Sequence, residues 1–278
     1  MTCVSCRNEA GEPVDWFIIY KMPRYKIGDV GSGVDYMYLD LLLGSWQLSK
    51  FTVNTSQGAL GSMLNQIYLG QGYKSNSSVY TFYNDAPPIM EYIKGYGHTK
   101  GVLLVNHSQG FWLSHSIPRF PFPADRGYLY PFSGKVNGQD GTEETSFGVC
   151  FWVHVCIPDI GATIGLRKEN GSSPISHGGK LISFAKSQLY IDDIYTGWVA
   201  HVLDTDLLFE TWQRRDSELL SNCSLTRHTM NVRRVSPPGQ LKFKSYYDHS
   251  KWCVSLEFQN PWTCLGDLNR EGSQAWRG

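Results

Sequence analysis

Two short segments set the strongest constraint on how this chain can fold. In residues 95–104, GYGHTKGVLL, His98 and Lys100 stand at the mouth of an apolar run. Residues 247–256, YDHSKWCVSL, repeat the arrangement with His249 and Lys251. A β-strand has a side-chain period of two, so each histidine shares a face with its lysine if the strand extends back through both. The chain is long enough for one large domain or two intimate halves, and one such HxK falls in each of residues 1–135 and 136–278. That layout hints at an old duplication, although the halves are not visibly similar elsewhere.

The rest of the chain reads as mixed α and β. Residues 16–22 form an apolar run stopped by Pro23, and residues 36–40 make a second strand candidate. Leu60, Met63, Leu64, Ile67 and Tyr68 recur at helical spacing, which predicts an amphipathic helix over 57–69. A strand is expected at 79–83 with its turn at 84–88. A hairpin is expected from 101–105 and 110–116, with its bend at 107–110. Residues 119–145 are rich in Pro, Gly and Asp and read as a connector. Strands follow at 151–157, 207–212 and 251–258. A helix begins near Asp192 and Asp193, carrying Ile194, Trp198, Val202 and Leu203 on one side. Residues 165–179 and 234–242 read as loops.

With 25 basic and 25 acidic residues, the 278-residue chain has no polybasic nucleic-acid tail. Its eight histidines make it cationic in a mildly acidic compartment, where a polyanion would be attracted. The CxxC of Cys3 and Cys6 has no second CxxC to complete a zinc ribbon, so neither a metal nor another cofactor is expected. Asn54, Asn76, Asn106, Asn170 and Asn222 each open a glycosylation sequon, which with the cysteines points to a secreted or lysosomal route. Met1 is not followed by a signal peptide. The apolar run at 147–166 contains His154 and Asp159 and is too polar to span a bilayer.

Two imidazoles flanked by two ammonium groups suit metal-free phosphodiester cleavage. One neutral imidazole attacks phosphorus, the lysines stabilise the non-bridging oxygens, and the second histidine, as imidazolium, protonates the leaving alkoxide. A single HxK is also a common pair of solvated strand residues. A ribonuclease that uses the substrate 2′-hydroxyl, or a phospholipase, would fit the same residue types.

The segments GHTKGVLL with GFWLSHSIP, and DHSKWCVS with PWTCLGDLNR, resemble the two signature blocks of the deoxyribonuclease II family. VDWFIIYKMP, YNDAPP, FAKS, DDIYTGWVA and SNCS add to the likeness, and SCRNEAG and ETWQRRDSELLSNCSL lean towards its beta branch. The likeness is weakest over about 140–178, where the chain is shorter than the family pattern. The resemblance implies a phospholipase D-like α/β pseudo-dimer with its active site at the junction of the halves. It also implies a metal-independent acid endonuclease that cuts double-stranded DNA to 3′-phosphate and 5′-hydroxyl ends. Carried over by motif, His98 is the nucleophile with Lys100 as its phosphate clamp, and His249 is the general acid with Lys251 as its clamp. Asp267 and Asn269, in the segment after the second HxK, are phosphate contacts or simply a turn. His115 is assigned the comparable place in the first half, as a phosphate ligand or a structural residue. Trp112, Trp252 and Trp262 touch DNA or pack the core.

Family members continue beyond the GDLNR block, whereas this chain ends at Gly278. The family pattern pairs Cys223 and Cys264 with cysteines in that further stretch, so both are expected to lack partners here, while Cys6 pairs with Cys150. The alternative to an active enzyme is an inactive relative that binds DNA or another polyanion. Oligomeric state is not legible in the sequence.

Overall fold

The computed structural model describes residues 4–24, 32–69, 72–90, 97–131, 146–154, 169–174, 180–212, 217–238 and 242–277. The fold mixes α and β and is dominated by sheet. Two compact units divide the chain: residues 1–93, 99–165 and 172–181, and residues 94–98, 166–171 and 182–278.

The first unit is organised by period-two burial. Strands β1 (Cys6–Arg7) and β2 (Pro13–Val14) form a small antiparallel pair. They are followed by β3 (Trp16–Lys21), β4 (Asp35–Asp40), β5 (Gln47–Thr52), β6 (Ser78–Tyr83), β7 (Gly101–Asn106), β8 (Gln109–His115) and β9 (Ser146–His154). These last seven make one antiparallel sheet in the order β5-β4-β3-β9-β8-β7-β6. Phe17 and Ile19, Tyr36 and Tyr38, Val102 and Leu104, and Phe111 and Leu113 are buried in alternation on their strands. Helix α1 (Gly58–Tyr68) closes this core with Leu60, Met63, Leu64 and Ile67, all at the spacing read from sequence. Its first turn is anchored from outside, since Ala59 N–H donates to the Glu9 carboxylate.

Strands β10 (Glu169–Pro174) and β11 (Lys180–Ala185) form a two-stranded sheet. In the second unit, β12 (Leu207–Glu210), β13 (Thr229–Asn231), β14 (Arg234–Val235), β15 (Phe243–Lys244), β16 (Trp252–Ser255) and β17 (Thr263–Leu265) follow a helical segment. That segment is wide-turned over Tyr195–Val199 and α-helical over Ala200–Leu203 (α2). The main sheet here has the order β13-β12-β16-β17, with β12 and β13 parallel and the other pairs antiparallel. Tyr195, Val199, Ala200, Leu203, Leu207, Phe209 and Cys253 form its core.

Several sequence expectations change. His98 and Lys100 precede β7, and His249 and Lys251 precede β16, so neither strand extends back through its HxK. A common strand face therefore does not align the histidines with their lysines. The expected loop at 165–179 contains β10. The expected loop at 234–242 begins in a ladder, because Arg234 and Val235 pair with Lys244 and Phe243. The strand expected at 151–157 begins earlier, at Ser146, and residues 155–157 lie outside the described residues, as does most of the 119–145 connector. Cys264 is not left without a partner. It is bonded to Cys253, directly opposite it on β16, which the family-based assignment overlooked. Cys6 is disulfide-bonded, and Cys223 is free and exposed.

Candidate active site

Both HxK motifs stand at the entrance to an antiparallel hairpin, and the two hairpins share one register. Gly101 pairs with Ser114 and Trp252 with Leu265 as the first rungs of β7–β8 and β16–β17. One step before each rung, the carbonyl of the HxK lysine accepts a hydrogen bond from the opposite strand. His115 N–H donates to Lys100 O at 3.0 Å, and Gly266 N–H donates to Lys251 O at 2.8 Å. The outer neighbours match too, since Tyr83 opposes Gly101 and Glu210 opposes Trp252. Each lysine backbone is therefore pinned by a ladder while the histidine two residues earlier lies outside it. This register sets His115 level with Gly266 rather than with Asn269.

Glycines make room for both entrances. A Cβ on Gly101 would stand 2.2 Å from the Tyr83 hydroxyl oxygen, and one on Gly266 would stand 2.0 Å from that of Tyr195. No larger residue fits either position without moving its neighbour.

In the first unit, Lys100 Nζ lies 2.6 Å from Asp85 Oδ1, and both side chains are 2% exposed. His115, at the end of β8, is 5% exposed and packs edge-on against Phe120. Ile117 N–H donates to its Nδ1 at 3.1 Å, so the ring proton sits on Nε2. Nε2 is buried and has no hydrogen-bond partner among the described residues. Burial, helped by the nearby Lys100 charge, lowers the His115 pKa to about 3, so the ring is neutral in mild acid.

In the second unit, His249 is buried and stacked on Trp212, with ring centroids 3.7 Å apart and planes 27° from parallel. Trp212 is itself fixed at both ends. Its Nε1–H donates to Tyr246 O at 3.0 Å, and its backbone N–H donates to Asn269 Oδ1 at 3.2 Å. Trp212 thus joins the histidine of one loop to the asparagine of another. Asn269 is held by the residue after it. The Arg270 guanidinium is buried, donates from Nε to Asp193 Oδ2 at 2.9 Å and from Nη2 to Thr196 Oγ1 at 3.1 Å, and also bonds Asn231. Arg270 N–H donates to Thr211 Oγ1, which fastens the 269–270 segment beside Trp212. Lys251 is buried, and its ammonium donates to His249 O.

Glu210, at the end of β12, is fully buried, as is Asp248 beside His249. Ser245 Oγ lies 2.7 Å from Glu210 Oε2 and 2.6 Å from Val232 O. A hydroxyl has one hydrogen, and a carbonyl can only accept. Both contacts are satisfied when Glu210 carries a proton: Oε2–H donates to Ser245 Oγ, and Ser245 Oγ–H donates to Val232 O. Glu210 Oε1 is buried and accepts no hydrogen bond among the described residues, which also suits the neutral form. Burial first, then the Asp248 charge, raise the Glu210 pKa well above the carboxylate range, against the opposing pull of Ser245, Lys251 and Arg233.

The residues expected from sequence thus fall into separate local groups. Lys100 and His115 are joined through the backbone at the β7–β8 entrance. His249, Lys251 and Asn269 are gathered around Trp212 and the β16 entrance. His98 is partly exposed and belongs to the second unit, whereas Lys100 belongs to the first. Asp267 is half-buried in the loop after β17. Asp85, Trp212 and Glu210 were missed as site residues. Asp85 stood in a segment read as a turn, although a buried lysine called for a carboxylate. Trp212 and Glu210 gave no local signal, because their partners lie 37 and 35 residues away. No group of three or more His, Cys, Asp or Glu side chains suited to a metal ion occurs among the described residues.

A family model described as Deoxyribonuclease II matches residues 5–142 and 166–278. Its gap falls inside the region where the motif likeness fades. Deoxyribonuclease-2-beta of Homo sapiens is 42% identical over 99% of this chain and 84% of its own length. Deoxyribonuclease-2-alpha of Mus musculus is 36% identical over 99% of the chain and 86% of its own length. Plancitoxin-1 of Acanthaster planci is 31% identical with the same coverages. With that family model covering both HxK hairpins and most of the chain between them, the chain belongs to the deoxyribonuclease II family.

Proposed function

We propose that this protein is an acid endonuclease that hydrolyses double-stranded DNA without a divalent metal. The observation that carries the reading is the repeated register: two HxK motifs, each lysine pinned at the same rung of a hairpin, in a chain of this family. It also supports reading the fold as a phospholipase D-like pseudo-dimer.

In this reading neutral His98 attacks the phosphorus and forms a P–N bond as the P–O5′ bond breaks. Imidazolium His249 gives its proton to the departing 5′ oxygen, which leaves as a hydroxyl. Neutral His249 then takes a proton from water, the hydroxide displaces His98 from phosphorus, and a 3′-phosphate end is released. Lys100 and Lys251 hold the non-bridging oxygens. Asn269 and Asp267 line the phosphate site, and the unpartnered Nε2–H of His115 is a donor for it. Trp212 keeps the His249 ring in one orientation. One histidine must be neutral and the other charged, so the rate peaks on the acid side of neutrality. Such an optimum fits a lysosomal or secreted protein, and no helix among the described residues is long and apolar enough to cross a membrane.

The test is nicking of supercoiled plasmid at about pH 5 in the presence of a chelator. Wild-type protein is expected to cut, and His249→Ala is expected not to. The new ends should accept polymerase extension only after phosphatase treatment. Binding without cleavage by either protein would replace this reading with that of an inactive DNA-binding relative.

A further inference from the structure

We propose that the two-stranded ribbon β14–β15 grips the sugar-phosphate backbone of duplex DNA outside the hydrolytic residues. The inference rests on the DNA-cleaving reading and adds a binding surface to it. Arg234 and Lys244 are directly paired across the ribbon, and both are exposed. Like charges at directly opposed positions repel and weaken a ladder. Lys242, also exposed, stands immediately before β15, two residues from Lys244.

The opposite face holds Val235 and buried Phe243, which fixes the direction of the cations. Neighbouring Arg233 is charge-matched, since it donates to both carboxylate oxygens of Glu218 at 2.8 and 3.2 Å. The side chains of Arg234, Lys242 and Lys244 have no hydrogen bond or ion pair with any described residue. A short ladder thus opposes two cations that are unmatched among the described residues, with a third directly before it, and the repulsion is relieved when anions lie between them.

The chemistry selects the anion. A row of point cations on a narrow ribbon suits repeated phosphates, and the major groove of B-DNA, about 12 Å wide, admits a two-stranded ribbon. Chain continuity ties the grip to the site. Lys244 leads through the turn Ser245–Tyr247 to Asp248 and His249, and Ser245 N–H donates back to Arg233 O at 3.2 Å. A duplex held by the ribbon is held next to the strand entrance that carries His249.

The experiment measures binding alone, so its outcome is separate from that of the cleavage assay. In a His249→Ala background, a fluorescent duplex is titrated at about pH 5 over a series of salt concentrations. Replacing Arg234, Lys242 and Lys244 together by Gln removes three phosphate contacts. The slope of log affinity against log salt is expected to fall by about 2.7. Over a fourfold rise in salt, the loss of affinity is then about 40-fold smaller than in the parent. Arg227→Gln, at a half-buried cation already paired with Asp204, is expected to keep the parent slope. Should the triple variant unfold, Lys244→Gln alone is expected to lower the slope by about 0.9. A slope unchanged in these variants, or an equal fall in Arg227→Gln, would overturn the assignment. So would parent protein that binds anionic phospholipid vesicles as tightly as duplex.

Discussion

Replacing Glu210 by glutamine tests the proton that the buried carboxyl holds. In the wild type that proton completes a chain from Glu210 Oε2 through Ser245 Oγ to Val232 O. Glutamine preserves the chain, because its Nε2–H donates to Ser245 in the same place, but it cannot ionise. The Glu210 pKa is raised in the folded protein, so its stabilising contribution is complete below the unfolded value, about 4.3. It is lost as pH rises through the folded value. Within that window the wild type gives up about 1.4 kcal/mol per pH unit on account of this one proton. Glu210→Gln gives up none. His115 slopes the other way: its pKa is lowered to about 3, so its contribution is complete above about 6.5 and is lost as pH falls. Absolute stability therefore mixes two opposed trends, whereas the difference between variant and wild type isolates Glu210. Denaturant unfolding across a pH series reads that difference directly. It should be small in acid and grow in favour of the variant as pH rises. Two parallel curves would show that folding leaves the titration of Glu210 unchanged and would refute the hydrogen-counting argument.

Two further outcomes follow from the same kind of burial. Asp85→Asn leaves the Lys100 ammonium buried beside a neutral amide and should cost about 3–5 kcal/mol by thermal unfolding. Adding Lys100→Met should restore most of that loss, and failure to do so would mean the ion pair is not what the site depends on. Cys264→Ser opens an 11-residue separation closed across β16–β17 and should lower stability by about 2–3 kcal/mol. Reductant should then destabilise the variant less than the wild type.

The helix at Gly58–Tyr68 and the β7–β8 hairpin were legible because their burial is periodic over many residues. Strand β5 was not, because it is an edge strand with little apolar content, as its exposed Leu48 beside polar Gln47 and Lys50 shows. Chemical character was legible one residue at a time: HxK stood out as a pattern, and His249 and Lys251 are buried. Partners were not legible. Nothing near Lys100 in sequence names Asp85, and nothing near His249 names Trp212, because chain reversal rather than local spacing creates those pairs. The expectation of a shared strand face failed for the same reason. Period two was applied to residues that the ladder does not reach, and only the lysine carbonyl takes part.

The shared rung has a bearing on which parts of the molecule tolerate editing. Beyond it the two hairpins part company: β7 returns through residues 107–108, β16 through residues 256–262. Their tips are thus places to splice in a reporter peptide, or to lengthen the arms by whole two-residue steps, with the near end unmoved. Deleting one residue between Gly101 and the tip would instead turn every later side chain of β7 to the wrong surface.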